Sequence, residues 1–291
     1  MISTTDPAIT HRIANARGWM LDVDGCLVYT IRGGGMGGQP IEGAVEFLHW
    51  LHGKEKRVLI CTNASQRPDE EYAAHLNDIG LIFDASQFMT AAGAAAYHIR
   101  KYHGEGPVVA VGDIGLFKAL ERQGVRRAGD EDIPVAVIVG SADHYASADI
   151  NAACLAIADH NAAFYVSVDT PWFYGGRGRS VASSTAIARA IHGITAKSPQ
   201  VCGKPSTVLA GVLRDRLGGE DGDIVIIGDM ASIEMRMARA MGALGVLVLS
   251  GGTAAEDLPG LPDSDQPHLT VDNIGGLLTI LKAIPDYSPG N

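Results

Sequence analysis

The chain has 291 residues, of which 46% are hydrophobic and 19% charged, a composition typical of globular rather than disordered proteins. Its 23 Lys and Arg against 33 Asp and Glu give a net charge of −10, the wrong sign for a protein that binds nucleic-acid phosphates. No apolar run approaches the roughly 20 residues that span a bilayer, and the first residues do not resemble a signal peptide. We therefore expect a cytoplasmic protein of about two domains, with a small-molecule partner and without nucleic-acid or membrane partners.

Apolar runs of strand length alternate with segments of helical periodicity, which predicts a parallel sheet flanked by helices. The predicted strands are residues 18–21, 57–61, 108–111, 136–139, 164–168, 224–227 and 245–249. The predicted helices are residues 43–52, 69–79, 91–102, 116–123, 147–159, 182–192, 207–217, 231–241 and 274–282. Residues 33–38, five glycines and one methionine, are too rich in glycine for a helix or a central strand and are predicted to be a loop or flap. Because ligands of such sheets bind at the carboxyl ends of the strands, the residues there are the first candidates for a site.

The first predicted strand ends in two carboxylates, Asp22 and Asp24, followed by Gly25. Side chains two positions apart on a strand point the same way. One carboxylate can act as a nucleophile while its neighbour transfers a proton, and both offer the oxygen ligands that Mg²⁺ prefers. Taken alone, this motif is also explained by a solvated strand end before an Asp-Gly turn.

Three other segments carry polar residues next to predicted strands or helices. Thr62 and Asn63 follow the second strand and offer a hydroxyl and an amide to an anion, or simply a helix cap. Lys204 lies in a Gly-Lys-Pro turn before a predicted helix, where it can hold a phosphate as a point charge. Asp229 follows a buried strand and could complete a cation site with the two carboxylates of the first strand.

The order of the four motifs, DxDG, Thr-Asn, Gly-Lys-Pro and Gly-Asp, resembles the haloacid dehalogenase (HAD) superfamily of phosphohydrolases, specifically its class IIA, NagD-like or p-nitrophenylphosphatase-like branch. The resemblance implies an α/β fold, with a Rossmann-like, doubly wound parallel sheet as the core and an inserted α/β cap domain. Because 142 residues separate Thr62 from Lys204, we place the cap at residues 104–197, between core segments 1–103 and 198–291. A cap over the site limits access to small phosphorylated molecules.

The resemblance also implies a Mg²⁺-dependent phosphatase and a role for each motif residue. Asp22 matches the nucleophile that forms an aspartyl phosphate, and Asp24 matches the acid/base whose backbone carbonyl also ligates Mg²⁺. Lys204 matches the cation that steadies both nucleophile and phosphate. The matches for ligand binding are Thr62, Asn63 and Lys204 for phosphate, and Asp22, Asp24 and Asp229 for Mg²⁺.

Substrate specificity is expected to lie in two cap segments that combine aromatic and charged side chains. The candidate residues are His144, Tyr145, Trp172, Arg177 and Arg179. The second segment could stack a ring or hold a second anionic group. A loop that packs its own aromatics and leaves both arginines in solvent explains it equally well. The substrate stays open among sugar phosphates, glycerol phosphate, phosphoglycolate, nucleotides and pyridoxal phosphate, and a homodimer is expected from the resemblance alone.

Four residues depart from the family pattern. Ile233 and Glu234 stand where Thr and Asp are usual, Ala64 replaces a frequent Asn, and Cys26 replaces Val or Thr. We still expect activity, because no implied phosphate or metal ligand is lost and Glu234 can reach a metal through water. The alternatives are a phosphotransferase or pyrophosphatase on the same scaffold, and a non-catalytic protein that binds a phospholigand.

The four cysteines are far apart in the sequence and form no CxxC pair, so we expect free thiols rather than a disulfide framework or a zinc site. Cys26 and Cys61 flank the predicted site. The two alternatives are thiols that are sensitive to oxidants and buried structural thiols, and we expect the latter.

Overall fold

The computed structural model describes residues 6–175, 178–218 and 221–284. Its strands, in chain order, are β1 (Gly18–Asp22), β2 (Val28–Tyr29), β3 (Gln39–Pro40), β4 (Arg57–Thr62), β5 (Phe88–Thr90), β6 (Val108–Val111), β7 (Ala136–Val139), β8 (Ala163–Val166), β9 (Trp172–Gly175), β10 (Gly178–Val181), β11 (Gln200–Val201), β12 (Ile224–Gly228), β13 (Leu244–Val248) and β14 (Leu269–Val271). Its α-helices are α1 (Pro7–Asn15), α2 (Ala44–Gly53), α3 (Asp69–Asp78), α4 (Ala91–His103), α5 (Ile114–Arg122), α6 (Ser147–His160), α7 (Ser183–Thr195), α8 (Thr207–Leu217), α9 (Arg236–Met241) and α10 (Ile274–Lys282). Every predicted strand and helix is confirmed within a few residues, except that the helix predicted from residue 231 begins as a π-helical turn, Ala231–Met235, before α9. In the described part of the chain, no helix is both long enough and apolar enough to cross a membrane.

The larger sheet has six parallel strands in the order β14-β13-β12-β1-β4-β5. One hydrophobic cluster packs α1, α2, α3 and α10 against one face of the sheet, and a second cluster packs α4, α8 and α9 against the other. Side chains alternate along a strand, so Trp19 of β1 faces the first cluster and Met20 faces the second. The helices on both faces confirm the predicted doubly wound parallel core and explain why its strands are continuously apolar.

The smaller sheet has four parallel strands in the order β11-β8-β7-β6, and the antiparallel hairpin β9-β10 stands apart from it. Hydrophobic clusters pack α5, α6 and α7 against its strands. This is the predicted inserted α/β domain. The sequence analysis ended the cap at residue 197. The edge strand β11 follows that residue and pairs with β8 before the chain returns to the core.

Polar contacts join the smaller domain to the segment that follows β4. The Ser141 amide donates to Ser65 Oγ (3.3 Å), and Gln66 Nε2 donates to Asp143 Oδ1 (3.1 Å). The Gly115 amide donates to the Gln66 carbonyl (3.2 Å). The cap therefore contacts the loop that directly follows Thr62, at the carboxyl edge of the larger sheet.

Candidate active site

Four side chains from separate parts of the sequence meet at the carboxyl edge of the larger sheet. Asp22, Lys204, Asp229 and Glu234 are all at least 93% buried. Lys204 Nζ donates to Asp22 Oδ1 and lies 2.9 Å from Glu234 Oε1. Oxygens of the three carboxylates lie within 4.8 Å of one another. We call these four residues the carboxylate cluster.

When its three carboxylates are ionised, the carboxylate cluster is short of positive charge, because one ammonium faces three negative charges and the net charge is −2. Burial raises the pKa of Asp22 well above its usual value, an effect that Lys204 opposes and that Glu234 and Asp229 reinforce. Burial and the charge of Glu234 raise the pKa of Asp229 to about 7. Burial lowers the pKa of Lys204, but Asp22 and Glu234 outweigh it and the net shift is upward.

The donor set of the carboxylate cluster fits a hard divalent cation. Asp22, Asp229 and Glu234 offer carboxylate oxygens, the ligands that Mg²⁺ and Ca²⁺ take in proteins. A cation of charge +2 also supplies the two charges that the ionised cluster lacks. The residues that are present therefore fit the magnesium ion that the sequence analysis expects.

Asn63 fixes the position of Lys204. Its Oδ1 accepts a hydrogen bond from the Lys204 amide (2.8 Å), and its Nδ2 donates to the Lys204 carbonyl (2.9 Å). Both polar atoms of the amide thus hold the backbone of Lys204 rather than pointing away from the protein. Direct phosphate binding by Asn63 stays a prediction.

Asp24 lies beside the carboxylate cluster, but its side chain has different partners. The amides of Gly34 and Gly35 donate to Oδ2 and Oδ1, each at 3.0 Å. Thr62 Oγ1 donates to Oδ2 (3.2 Å) and accepts from the Ala64 amide (3.1 Å). The structure therefore brings Asp24 and Thr62 together, with three donors on the Asp24 carboxylate.

Glu234 has a more direct place in the site than the sequence analysis gave it. Its Oε1 pairs with Lys204, and its Oε2 accepts from the Met230 amide (3.2 Å). The π-helical turn Ala231–Met235 carries it back towards Asp229, so its carboxylate reaches the cluster without a bridging water. An acid five residues after Asp229, at the start of a helix, was the signal for this role in the sequence.

The loop after β13 holds Asp229 from the opposite side. The Gly252 amide donates to Asp229 Oδ2 (2.5 Å), and the Thr253 amide donates to the Asp229 carbonyl (3.0 Å). Ser250 Oγ donates to the carbonyl of Gly25 (2.7 Å), next to the predicted acid/base. The loop after β13 therefore contacts both Asp229 and the residue that follows Asp24.

The predicted cap residues contact other parts of the cap. The Tyr145 hydroxyl donates to the Gly140 carbonyl (2.8 Å) and contacts Ser183 Oγ (3.0 Å), while His144 is exposed. Arg179 Cζ lies 4.1 Å from the centroid of the Trp172 ring. Arg177 lies outside the described residues. The roles of all five in specificity stay predictions.

All four cysteines are free, as predicted. Cys26 and Cys61 are fully or almost fully buried. Burial, together with Asp22 and the other acids of the cluster, raises the pKa of the Cys26 thiol, and burial raises the pKa of Cys61 to about 12. Burial therefore disfavours the reactive thiolate form of both side chains.

Residues 19–126 match the sequence model of a family described as haloacid dehalogenase-like hydrolases, and residues 201–277 match a second HAD-like hydrolase model. Phosphoglycolate phosphatase 1A, a chloroplastic protein of Arabidopsis thaliana, is 26% identical over 274 residues, which cover 84% of this chain and 73% of the relative. The two matched segments contain every predicted site residue outside the cap.

Solved structures resemble the whole fold. A 4-nitrophenylphosphatase from Thermotoga maritima superposes with a TM-score of 0.81 at 23% identity, covering 92% of this chain and 98% of its own. A glycerol phosphate phosphatase from Mycobacterium tuberculosis, solved in complex with magnesium, superposes with a TM-score of 0.76 at 25% identity, covering 92% of this chain and 77% of its own. These two proteins share both the core and the inserted domain with this chain.

Proposed function

Because the chain belongs to the haloacid dehalogenase-like hydrolases, we propose that it is a Mg²⁺-dependent phosphatase that hydrolyses a small-molecule phosphomonoester through an aspartyl phosphate on Asp22. The observation that carries the proposal is the carboxylate cluster. Its residues are buried, joined by ion pairs and, when ionised, deficient by two positive charges, and a fourth carboxylate, that of Asp24, is held alongside. A plain structural ion pair would need one carboxylate for Lys204 rather than three.

Asp22, Asp229 and Glu234 would hold the magnesium ion, together with the backbone carbonyl of Asp24 that the family resemblance implies. Bound there, the ion supplies positive charge to the oxygens of the transferred phosphoryl group and keeps the carboxylates ionised. Magnesium in the Mycobacterium tuberculosis relative supports this assignment.

The chain's own residues supply the two chemical steps. A carboxylate oxygen of Asp22 attacks phosphorus, the bond from phosphorus to the ester oxygen breaks, and Asp24 gives a proton to the departing alcohol. Asp24 then takes a proton from water, the water oxygen attacks phosphorus, and the bond from Asp22 to phosphorus breaks to release inorganic phosphate. Lys204, held in place by Asn63, offsets negative charge on the phosphoryl oxygens. Thr62 has one hydroxyl proton, which it donates either to Asp24, as in this structure, or to a bound phosphate.

The cap supports a small substrate. Its contacts with the segment after Thr62 restrict the approach to the cluster, so a compact ester fits better than a phosphoprotein. The names of the relatives point to phosphoglycolate, 4-nitrophenyl phosphate and glycerol phosphate as first compounds to try. We also propose the cytoplasmic location, the homodimer and the absence of a nucleic-acid partner on the sequence grounds given above.

The direct test is phosphate release from these three esters, a sugar phosphate, a nucleotide and pyridoxal phosphate, with Mg²⁺ and with EDTA. The proteins are the wild type, Asp22→Asn, and Asp149→Asn as a matched control, because Asp149 is exposed on α6. We expect turnover by the wild type and the control with Mg²⁺ only, and a loss of about 10⁴-fold or more in Asp22→Asn.

Two outcomes would favour the alternatives. Ester binding without turnover by the folded, Mg²⁺-loaded wild type would indicate a non-catalytic binding protein. Transfer of the phosphoryl group to an added alcohol in preference to water would indicate a phosphotransferase.

A further inference from the structure

The glycine-rich loop at residues 33–38 forms a cradle for the carboxylate of Asp24. Gly34 N–H donates to one carboxylate oxygen and Gly35 N–H to the other, each at 3.0 Å. With one donor on each oxygen, and Thr62 Oγ1 on Oδ2, the plane of the carboxylate is fixed.

The loop lies directly on helix α3. Gly34 and Gly35 have φ of +77° and +79°, a backbone conformation that favours glycine. A Cβ on Gly34 would lie 2.5 Å from Tyr72 Cε1, and a Cβ on Gly35 would lie 2.6 Å from Leu76 Cδ2. The two residues that donate to Asp24 thus have no space between their backbone and α3.

His75 lies on the same helix and makes polar contacts with the loop. The Gly37 amide donates to His75 Nε2 (3.1 Å), and the same nitrogen lies 3.3 Å from the Gly35 carbonyl. In one ring tautomer Nε2 accepts from Gly37, and in the other it donates to Gly35. Either way a half-buried imidazole makes one hydrogen bond to the loop, on one side of Met36 or on the other.

We propose that His75 is a positioning residue for the acid/base step: it holds the glycine loop on α3 so that the Gly34 and Gly35 amides aim the Asp24 carboxylate. The proposal rests on the proposed function in that it takes Asp24 as the group that protonates the leaving alcohol. His75 touches neither Asp24 nor the carboxylate cluster in the hydrogen bonds described, so it acts through the loop. General acids depend strongly on position, and a displacement of about 1 Å is enough to slow proton transfer.

A kinetic test uses two esters whose leaving groups differ in how much they need a proton from Asp24. 4-Nitrophenyl phosphate releases 4-nitrophenol as a stable anion. Glycerol phosphate releases glycerol, whose alkoxide must be protonated as it departs. We expect His75→Ala to lower the single-turnover rate of Asp22 phosphorylation about tenfold with glycerol phosphate and no more than about twofold with 4-nitrophenyl phosphate. This step is measured by itself, because hydrolysis of the aspartyl phosphate needs Asp24 whichever ester formed it. His75→Gln, which keeps a donor and an acceptor, should recover most of the loss. His49→Ala, on the exposed face of α2, is the matched control and should change neither rate.

A double-mutant cycle asks whether the effect passes through Asp24. In the Asp24→Asn background, His75→Ala should cause no further loss on glycerol phosphate, because residues that act as a unit are not additive. Equal losses on both esters, or the full tenfold loss in the Asp24→Asn background, would show a general structural effect and overturn the proposal.

Hydrogen exchange tests the loop contact independently of turnover. Backbone amides in residues 31–38 should exchange about tenfold faster in His75→Ala than in the wild type, with no change in His49→Ala. Unchanged exchange would overturn the proposed contact even if the enzyme is active. Faster exchange in His75→Ala, combined with no turnover by the wild type, would instead support the contact while contradicting the phosphatase assignment.

Discussion

The carboxylate cluster and the β9-β10 hairpin differ in what holds their charged residues. Lys204 is 5% exposed and pairs with two carboxylates that lie far from it in the sequence. Arg179 is exposed and packs on Trp172, seven residues away on the paired strand of the same hairpin. The cluster therefore depends on the whole core fold, whereas the hairpin contact is local and can vary without disturbing the chemistry. Substitutions in the two regions should separate catalysis and stability from substrate preference.

The largest effect is expected from the cation of the cluster. Lys204→Met leaves Asp22 and Glu234 buried without their partner, so we expect the free energy of unfolding to fall by about 3–5 kcal/mol and turnover to be lost. Chemical denaturation in EDTA measures the first effect and phosphate release with Mg²⁺ the second. Lys118→Met, which breaks an exposed pair with Glu121 on α5, is the control and should leave both unchanged. If Lys204→Met and Lys118→Met were equally stable, burying Asp22 and Glu234 without Lys204 would not lower the free energy of unfolding, and the prediction would be wrong.

A smaller effect is expected at Glu234, where the sequence departs from the family. Glu234→Gln keeps the shape of the side chain but removes the charge that faces Lys204 and the metal-binding oxygens. We expect the Mg²⁺ concentration for half-maximal activity to rise about 10- to 100-fold. Glu71→Gln, at an exposed pair with Arg67, serves as the control. An unchanged Mg²⁺ requirement would mean that Glu234 does not support the metal.

Part of the site could be predicted from the sequence and part could not. Asp22 and Asp229 were predicted because each follows a strand with a strong apolar pattern, and parallel strands bring their ends to one edge. Lys204 was predicted from the Gly-Lys-Pro turn that precedes a helix. Glu234 was assigned a water-mediated role, because a π-helical turn leaves no periodicity by which to predict it. Gly34 lies in a loop whose only sequence pattern is its glycine content. The loop itself could therefore be predicted, but its hydrogen bonds to Asp24 could not.

Short elements were missed for a related reason. β5 and β14 have three residues each, which is too few for a strand pattern, and α1 has only two buried residues. The edge strand β11 is recognisable only through its pairing with β8, so the last strand of the cap fell beyond the predicted boundary at residue 197.

The raised pKa of Asp229 predicts how stability depends on pH. Burial and Glu234 place it at about 7 in the folded chain against 3.8 ordinarily, so between these values the unfolded chain is ionised while the folded chain holds a proton. Without metal, this group therefore lowers stability as pH rises from about 4 to about 7. Magnesium binds the ionised carboxylates, so its stabilising effect should grow over the same window.

Thermal unfolding with Mg²⁺ and with EDTA, at about pH 5 and about pH 8, measures this difference. We expect Mg²⁺ to raise the unfolding midpoint more at the higher pH, and Asp229→Asn to reduce that gain. A gain that is the same at both pH values would contradict the assignment of Asp229 to the metal site.

The smallest effect is expected in the cap. Tyr145→Phe removes the hydroxyl that bonds Gly140, Ala142 and Ser183, so we expect the free energy of unfolding to fall by about 1 kcal/mol with kcat within about twofold of the wild type. Denaturation and steady-state kinetics on two esters measure both quantities. A change in the preference between the esters, with stability unaltered, would place Tyr145 against the substrate instead.

The measurement that tests the account most directly is the site of phosphorylation. Asp24→Asn should slow hydrolysis of the intermediate more than its formation from 4-nitrophenyl phosphate, so the phosphorylated chain should accumulate with Mg²⁺ and be seen by mass spectrometry after an acid quench. The account predicts one added phosphoryl group, HPO₃, on the peptide that contains Asp22, and none with EDTA or in the Asp22→Asn, Asp24→Asn double variant. A phosphoryl group on any other residue would contradict the assignment of Asp22 as the nucleophile.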